Sequence, residues 1–342
     1  MPNDSGGAGA RRRLPIAREL VDGVFVYRRN GRRIARRAEI ARLDALAIPP
    51  AWTEVEIARS PRAKVLARGV DAAGRVQTIY HPAFRRRQDR RKFDRLERFA
   101  RALPRLRARV DRDLRRRSLS RERVTACAVR LIDQQLFRVG SPEYAERYRS
   151  FGVTTLREEH VSVSTSSVTF DFAGKSGRRQ RRRVSDARVA RLVVRLSELP
   201  GPEVFRFFDE DEVVHRLRSR HVNAYVKRHM GEEFTAKDFR TWGGTVAVAA
   251  ALLELAPETL ADPRARAASV REAIAGAAER LGNTPAVARS SYVDPRVLAA
   301  AERPETIERA RRRRRSPRRG LTAEEQGALA LLVEIDRGRR DS

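Results

Sequence analysis

Tyr292 closes the stretch LGNTPAVARSSY, Leu281 to Tyr292, as an isolated phenol on a basic, helical background. Upstream lie KDFRTWGG at Lys237 to Gly244, FAGKSG at Phe172 to Gly177 and FRVG at Phe137 to Gly140. These segments supply one phenol (Tyr292), two guanidiniums (Arg138 and Arg240), one ammonium (Lys175) and one amide (Asn283). The set suits attack on a nucleic-acid phosphodiester. Transesterification at phosphate needs a nucleophile, donors for the non-bridging oxygens and an acid for the departing 5′-oxygen. A tyrosine ester keeps the energy of the phosphodiester, so the step can be reversed. Two guanidiniums can grip the non-bridging oxygens bidentately, and a flexible lysine can protonate the leaving group. The sequence carries no HExxH, no paired CxxC and no GxxxxGK[ST]. A reaction with no metal, no ATP and no other cofactor is therefore expected.

Taken singly, each residue has a plainer reading. Tyr292 could be a half-buried core residue, Arg138 and Arg240 ordinary structural or surface arginines, and Asn283, between Gly282 and Thr284-Pro285, a turn or cap residue. Lysine usage sharpens the choice. Lysine occurs only at Lys64, Lys92, Lys175, Lys227 and Lys237, and every other cation is arginine. Where arginine serves for charge, a retained lysine points to proton transfer, which a guanidinium effectively cannot perform. Lys175, on a turn, and Lys237, three residues before Arg240, are the positions where this reading bears on the site, with Lys237 in a supporting place.

The bulk composition points to the same partner. A formal charge of +30 over 342 residues suits a polyanion, bound largely through counterion release. The expected partner is double-stranded DNA. No apolar run approaches the roughly 20 residues of a spanning helix, and no N-terminal stretch reads as a signal peptide, so a cytoplasmic, nucleoid-associated protein is expected. The single Cys127 falls on the apolar face of a helix and reads as a small buried hydrophobe.

These residues must be held by two domains. The fold class expected is α+β: a small strand-rich N-terminal domain, then a larger, mainly helical domain carrying a β-hairpin or three-stranded sheet. Strands are predicted at Val24–Tyr27, Val55–Ala58, Lys64–Ala67 and Arg75–Tyr80, separated by Asn30-Gly31, Pro49-Pro50 and Ala73-Gly74. Helices are predicted at Arg121–Phe137 (Ser120 as N-cap, Gly140 beyond the end), Asp186–Leu196, His215–Met230, Ala236–Leu255 and Ala267–Leu281. Strands at Val161–Ser164, Ser167–Phe172 and Gln180–Val184 interrupt them and place Lys175 at a hairpin tip. The divisions read 1–18 (a disordered basic arm), 19–84, 85–92 (a basic linker), 93–305, and 306–342. In the last, RARRRRRSPRR at Arg309 to Arg319 is either a solvated connector or a phosphate-binding strap. It precedes a capping box, Thr322 to Glu325, and a final amphipathic helix that packs back on the larger domain.

The ordered set, together with IPPAWT at Ile48 to Thr53, GRVQTIYHP at Gly74 to Pro82 and SFGVTTLREEHVSVS at Ser150 to Ser164, resembles the type IB DNA topoisomerases, specifically the small bacterial and poxvirus-like branch. The resemblance covers most of the chain. It implies that Tyr292 forms a 3′-phosphotyrosine, that Arg138 and Arg240 grip the phosphate, and that Lys175 is the general acid on a hairpin reaching into the minor groove. It also nominates Gln77 and Tyr80 as base or phosphate contacts, with Arg85 and Arg87 of the basic run as further DNA-binding positions. It implies a monomer shaped as a C-shaped clamp closing on duplex DNA. Two positions depart from the pattern. Asn283 stands where the poxvirus pattern has histidine nine residues before the tyrosine, keeping a neutral donor that cannot become cationic. Thr78 stands where the viral branch commonly has an aromatic. The rivals are a tyrosine recombinase and a non-enzymatic architectural DNA binder. KxxR at Lys237 to Arg240 in place of HxxR, and the strand-rich N-terminal domain, disfavour the recombinase.

Overall fold

The computed structural model describes residues 13–313 and 319–338. The chain divides into two compact units, one running to Lys92 and the other starting at Phe93.

In the first unit, β-branched and aromatic residues build an antiparallel six-stranded sheet. Its strands are β1 (Ile16–Val21), β2 (Val24–Arg29), β3 (Arg32–Arg33), β4 (Thr53–Ile57), β5 (Val65–Val70) and β6 (Val76–Tyr80), ordered β3-β2-β1-β4-β5-β6. Asp22-Gly23 and Asn30-Gly31 each place two successive residues at positive φ, the geometry of tight two-residue hairpin turns. Helix α1 (Arg37–Asp44) adds Leu43 to a small core with Ile16, Tyr27, Ile48, Val55, Ile57 and Ala67. Helix α2 (Pro82–Asp94) runs through the division between the units.

Two expectations change here. Residues 1–12 of the expected arm lie outside the described residues, but Ile16–Arg18, assigned to that arm, belong to β1. Arg18 hid this strand from the sequence, because a charged residue occupies a core-facing position. Its guanidinium donates to the carbonyls of Ile48 (2.8 Å), Pro49 (2.9 Å) and Trp52 (3.0 Å), which satisfies it inside the unit. The basic run 85–92, expected as a linker, is helical throughout as part of α2.

The second unit has a large core and a smaller separate apolar cluster of Leu136, Ala278, Leu281, Ala288 and Tyr292. Its helices are α3 (Leu96–Leu114), α4 (Arg121–Gln135), α5 (Pro142–Tyr148), α6 (Ala187–Ser197), α7 (Ser219–Met230), α8 (Ala236–Glu254), α9 (Pro257–Ala261), α10 (Pro263–Leu281), α11 (Pro285–Ser291), α12 (Pro295–Ala300), α13 (Pro304–Arg313) and α14 (Ala323–Gly338). An antiparallel sheet of β7 (Val161–Val163), β8 (Val168–Ala173) and β9 (Arg179–Val184) carries the Lys175 turn. A second hairpin, β10 (Arg206–Phe208) with β11 (Val214–Arg216), takes His215 out of the helix predicted from that residue onward; α7 starts at Ser219. Ser120 occupies the N-cap position of α4, but its hydroxyl makes no capping bond; Leu136 ends that helix in the left-handed region at φ 54°, and Gly140 lies beyond the end as expected. Cys127 is fully buried in the core, as expected.

The tail is part of this core. Ile307, Ala310, Leu329, Leu331, Leu332 and Ile335 are buried with the other helices, so α13 and α14 are structural members of the unit. Of the arginine run, residues 314–318 lie outside the described residues. Arg311 donates to the carbonyls of Leu253 and Leu255, and Arg313 pairs with Glu334. At these two positions the run is tied to the protein itself.

Candidate active site

Two chain turns and one helix deliver the groups that meet around Tyr292. The first follows α4. Leu136 turns the chain out of the helix, Phe137 packs edge-on against Phe170 and Phe172, and Arg138 follows. The backbone of this segment is fixed by Val153 N–H donating to the Arg138 carbonyl (2.9 Å) and Thr154 N–H to the Val139 carbonyl (2.7 Å). The approach requires glycine: a Cβ on Gly152 would lie 2.5 Å from Gly140 N and 2.6 Å from the Arg138 carbonyl oxygen. This is the physical reason for the glycines of FRVG and SFGV.

The second turn follows α10. Gly282 adopts a left-handed conformation, and the Asn283 N–H closes on the Ala278 carbonyl at 2.9 Å. Thr284 then caps α11, accepting from Val287 N–H at 3.2 Å, and Tyr292 follows that helix directly. Tyr292 packs with Leu136, Ala278, Leu281 and Ala288 and is 6% exposed.

The third element is α8, which supplies Arg240. Asp238 begins it, accepting from Thr235 N–H (2.8 Å), the Thr235 hydroxyl (3.0 Å) and Arg95 (2.5 and 3.1 Å). Two turns on, Gly244 lets the tyrosine segment lie against the helix, since a Cβ there would sit 2.8 Å from the Tyr292 carbonyl oxygen.

The resulting contacts join four of the five predicted catalytic residues. Arg138 donates through Nη1 to the Tyr292 hydroxyl (3.0 Å) and through Nη2 to Asn283 Oδ1 (2.7 Å). The Arg240 guanidinium carbon lies 4.9 Å from the centroid of the Tyr292 ring. Arg240 also donates to the Leu136 carbonyl and, at 2.8 Å, to the Leu281 carbonyl, so it ties together the first two turns. Two polar groups in this buried set have no partner among the described residues, Arg240 Nε and Asn283 Nδ2. Lys175, the fifth, is exposed on the turn between β8 and β9 and lines a cleft with Arg138, Gln180, Arg240 and Gly282.

Burial alone would raise the pKa of the Tyr292 phenol. The Arg240 and Arg138 charges and the hydrogen bond from Arg138 outweigh it and lower the pKa from the ordinary 10 to about 8. Burial, and then repulsion by Arg138, lowers Arg240 to about 10. The site is thus an electropositive, largely enclosed pocket around a phenol. Among the described residues, no group of three or more His, Cys, Asp or Glu could hold a metal ion.

Other predicted residues lie apart from this set. Lys237 is exposed in the first turn of α8 and shares no hydrogen bond with Arg138, Tyr292 or Asn283. In the first unit, the Gln77 amide donates to Asp71 at 2.8 Å, the exposed Tyr80 ring lies 5.6 Å from that of Phe84, and Arg85 and Arg87 are exposed on α2. The sequence reading missed Asp238, Gly244 and Gln180. Thr235-x-x-Asp238 is a capping-box pattern that could have revealed the first, and the glycine pair inside an otherwise strong helix the second.

Residues 81–316 match the family described as eukaryotic DNA topoisomerase I, catalytic core, and residues 24–71 the bacterial DNA topoisomerase IB N-terminal domain. The chain is also similar to the DNA topoisomerase 1B of Acanthamoeba polyphaga mimivirus, at 32% identity over 275 residues, which is 79% of this chain and 82% of the viral protein. These matches span both units, and they set aside the recombinase and the non-enzymatic binder. The chain belongs to the type IB DNA topoisomerases.

Proposed function

We propose that Tyr292 attacks a DNA phosphodiester, forming a 3′-phosphotyrosine while the bond from phosphorus to the 5′-oxygen breaks. The phenol gives up its proton to water, and the Lys175 ammonium supplies one to the departing 5′-oxygen; both transfers reverse on resealing. The freed end swivels, and the 5′-hydroxyl then attacks the phosphotyrosine to reseal the strand. Supercoil energy drives the net change, so neither ATP nor a metal is required. Arg138, Arg240 and Asn283 hold the non-bridging oxygens, the role that positioned donors fill in transesterification generally. In the first unit, Gln77, Tyr80, Arg85 and Arg87 contact the duplex, with Lys237 supporting the phosphate site. A monomer working as a C-shaped clamp on nucleoid DNA completes the reading.

One observation carries this proposal: Arg138 bonds both the Tyr292 hydroxyl and Asn283, while the Asn283 Nδ2 donor is buried without a partner. A buried amide donor left open beside a phenol flanked by two guanidiniums suits an oxygen that arrives with substrate. Asn283→Ala is therefore expected to slow single-turnover cleavage of a suicide substrate about a hundredfold, the usual cost of one such donor. Religation slows with it, because the same oxygen is stabilised in both directions. Asn283→His retains substantial activity, since imidazole offers a donor from nearly the same place. Parental cleavage by Asn283→Ala would reduce this residue to a turn former.

A further inference from the structure

The turn that carries Lys175 is closed on itself by Gly174 N–H donating to the Arg178 carbonyl (2.8 Å) and Gly177 N–H to the Gly174 carbonyl (3.1 Å). Lys175, Ser176 and Gly177 are all exposed, and Ser176 sits in the left-handed region at φ 62°. What ties this turn to the rest of the site comes from the strand beside it. Arg178 donates to the Asn283 carbonyl at 2.9 Å. Further along β9, Arg182 donates to the Glu279 carbonyl at 3.1 Å and to that of Arg280 at 3.4 Å. The Glu279 and Arg280 carbonyls lie in the last turn of α10, where the helix dipole is negative, and Asn283 lies two residues past its end. Strand alternation gives residues 178, 180 and 182 a common side, so this strand docks on the helix end by a repeated contact.

Gln180 fills the space between them. A Cβ on Gly282 would lie 2.2 Å from Gln180 Nε2, and one on Gly174 would lie 3.1 Å from Gln180 Cγ. The glycine before Lys175 and the glycine before Asn283 thus make room for the same side chain. Asn283 is in turn held at both ends, its carbonyl by Arg178 and its Oδ1 by Arg138, which also bonds Tyr292. A short chain of contacts runs from the Lys175 turn through Arg178 and Asn283 to Arg138 and the nucleophile.

We propose that Arg178, supported by Gln180, is a positioning residue that fixes the Lys175 turn against the Asn283 turn, so that the acid and the phosphate donors meet the same phosphodiester in register. The proposal rests on the reading of Lys175 as general acid, and the test separates the two. Single-turnover cleavage is measured with suicide substrates bearing either the normal 5′-bridging oxygen or a 5′-bridging sulfur, whose thiolate leaves without a proton. Misplacing a catalytic group by about 1 Å can cost up to about a hundredfold, so Arg178→Ala is expected to cleave the oxygen substrate tenfold to a hundredfold more slowly. With the sulfur substrate it should run close to the parent rate, and Gln180→Ala should show a smaller defect of the same kind. Arg178→Lys, which keeps a cationic donor, should recover much of the oxygen rate. Arg178 is exposed, so its loss leaves the core intact.

Equal slowing of Arg178→Ala on both substrates would mean a lost DNA or structural contact, and an unimpaired oxygen rate would mean no role. Either result overturns the proposal. Lys175→Ala runs in parallel. If sulfur does not rescue it, the general-acid reading itself fails. If sulfur rescues Lys175→Ala but Arg178→Ala is unimpaired or unrescued, only the positioning role fails.

Discussion

At the scale of single residues, Tyr292 and its two arginines show which effect wins in a buried electropositive site. Burial favours the neutral phenol, but two nearby guanidiniums bring the pKa down to about 8. At neutral pH about a tenth of such a phenol is ionised, against about a thousandth at the reference value of 10. Lowering an acid's pKa moves its ionisation to lower pH, so the DNA-free protein should show one tyrosinate step near 8 that is missing from Tyr292→Phe. Arg138→Ala removes one charge and one hydrogen bond and should move that step upward; near-ultraviolet titration of the three proteins checks both. A first step near 10 in the parent would contradict the electrostatic account. The two arginines should also differ in what they cost the fold. Arg240 is 4% exposed and satisfies the Leu136 and Leu281 carbonyls, and each buried acceptor left unpaired costs about 1–3 kcal/mol. Arg240→Ala should therefore lower both activity and melting temperature, whereas Arg138→Ala, which bonds side chains only at the site, should lower mainly activity. Thermal melts beside cleavage assays separate the two.

At the scale of elements, close approaches set the site, and these are the least legible part of the sequence. The candidate catalytic residues could be nominated because their local motifs occur in a known order, and the helices α4, α8 and α10 because their apolar periodicity is strong. The predicted hairpin placed Lys175 correctly between β8 and β9. Strand β1 was hidden by the buried Arg18, and the start of α7 was obscured by the short β10–β11 hairpin. Nor could one-dimensional patterning show that Gly152 faces Gly140, or that Gly244 faces Tyr292, because these are contacts between distant segments. Gly244 provides a test. Alanine there would gain about 1 kcal/mol in helix propensity. Against it, a methyl group 2.8 Å from a backbone carbonyl forces a shift, and overpacking typically costs about 1–3 kcal/mol. Gly244→Ala should come out less stable and much less active, whereas a melting temperature above the parent's would mean that the tyrosine segment yields easily.

At the scale of the whole molecule, the C-terminal helix and the charge of the chain have separate tasks. Glu325, at the start of α14, accepts from Arg107 (2.7 Å, twice), the Trp242 indole N–H (3.1 Å) and Thr322 N–H (2.8 Å). Trp242 lies two residues beyond Arg240 on α8, so the tail is bonded to the helix that supplies a site arginine. Deleting residues after Gly320 would remove Leu329, Leu331, Leu332 and Ile335 from the core, and it should destabilise the second unit at every salt concentration. A truncated protein with the parent's melting temperature would show the tail to be an appendage. The strap reading of the arginine run is then better tested by neutralising Arg312, which is exposed, than by deletion. The formal charge of +30 predicts that the logarithm of DNA affinity falls linearly with the logarithm of salt concentration, with a slope of about 0.9 per phosphate neutralised.

The central claim is that Tyr292 makes the covalent bond to DNA. The most direct test incubates the parent and Tyr292→Phe with end-labelled suicide duplex, in EDTA and without ATP, then separates the products under denaturing conditions. The parent should yield a denaturant-resistant protein–DNA adduct, and Tyr292→Phe should yield none while still binding the duplex, because one lost hydroxyl leaves the positive surface unchanged. An adduct formed by Tyr292→Phe would place the nucleophile elsewhere and contradict the account.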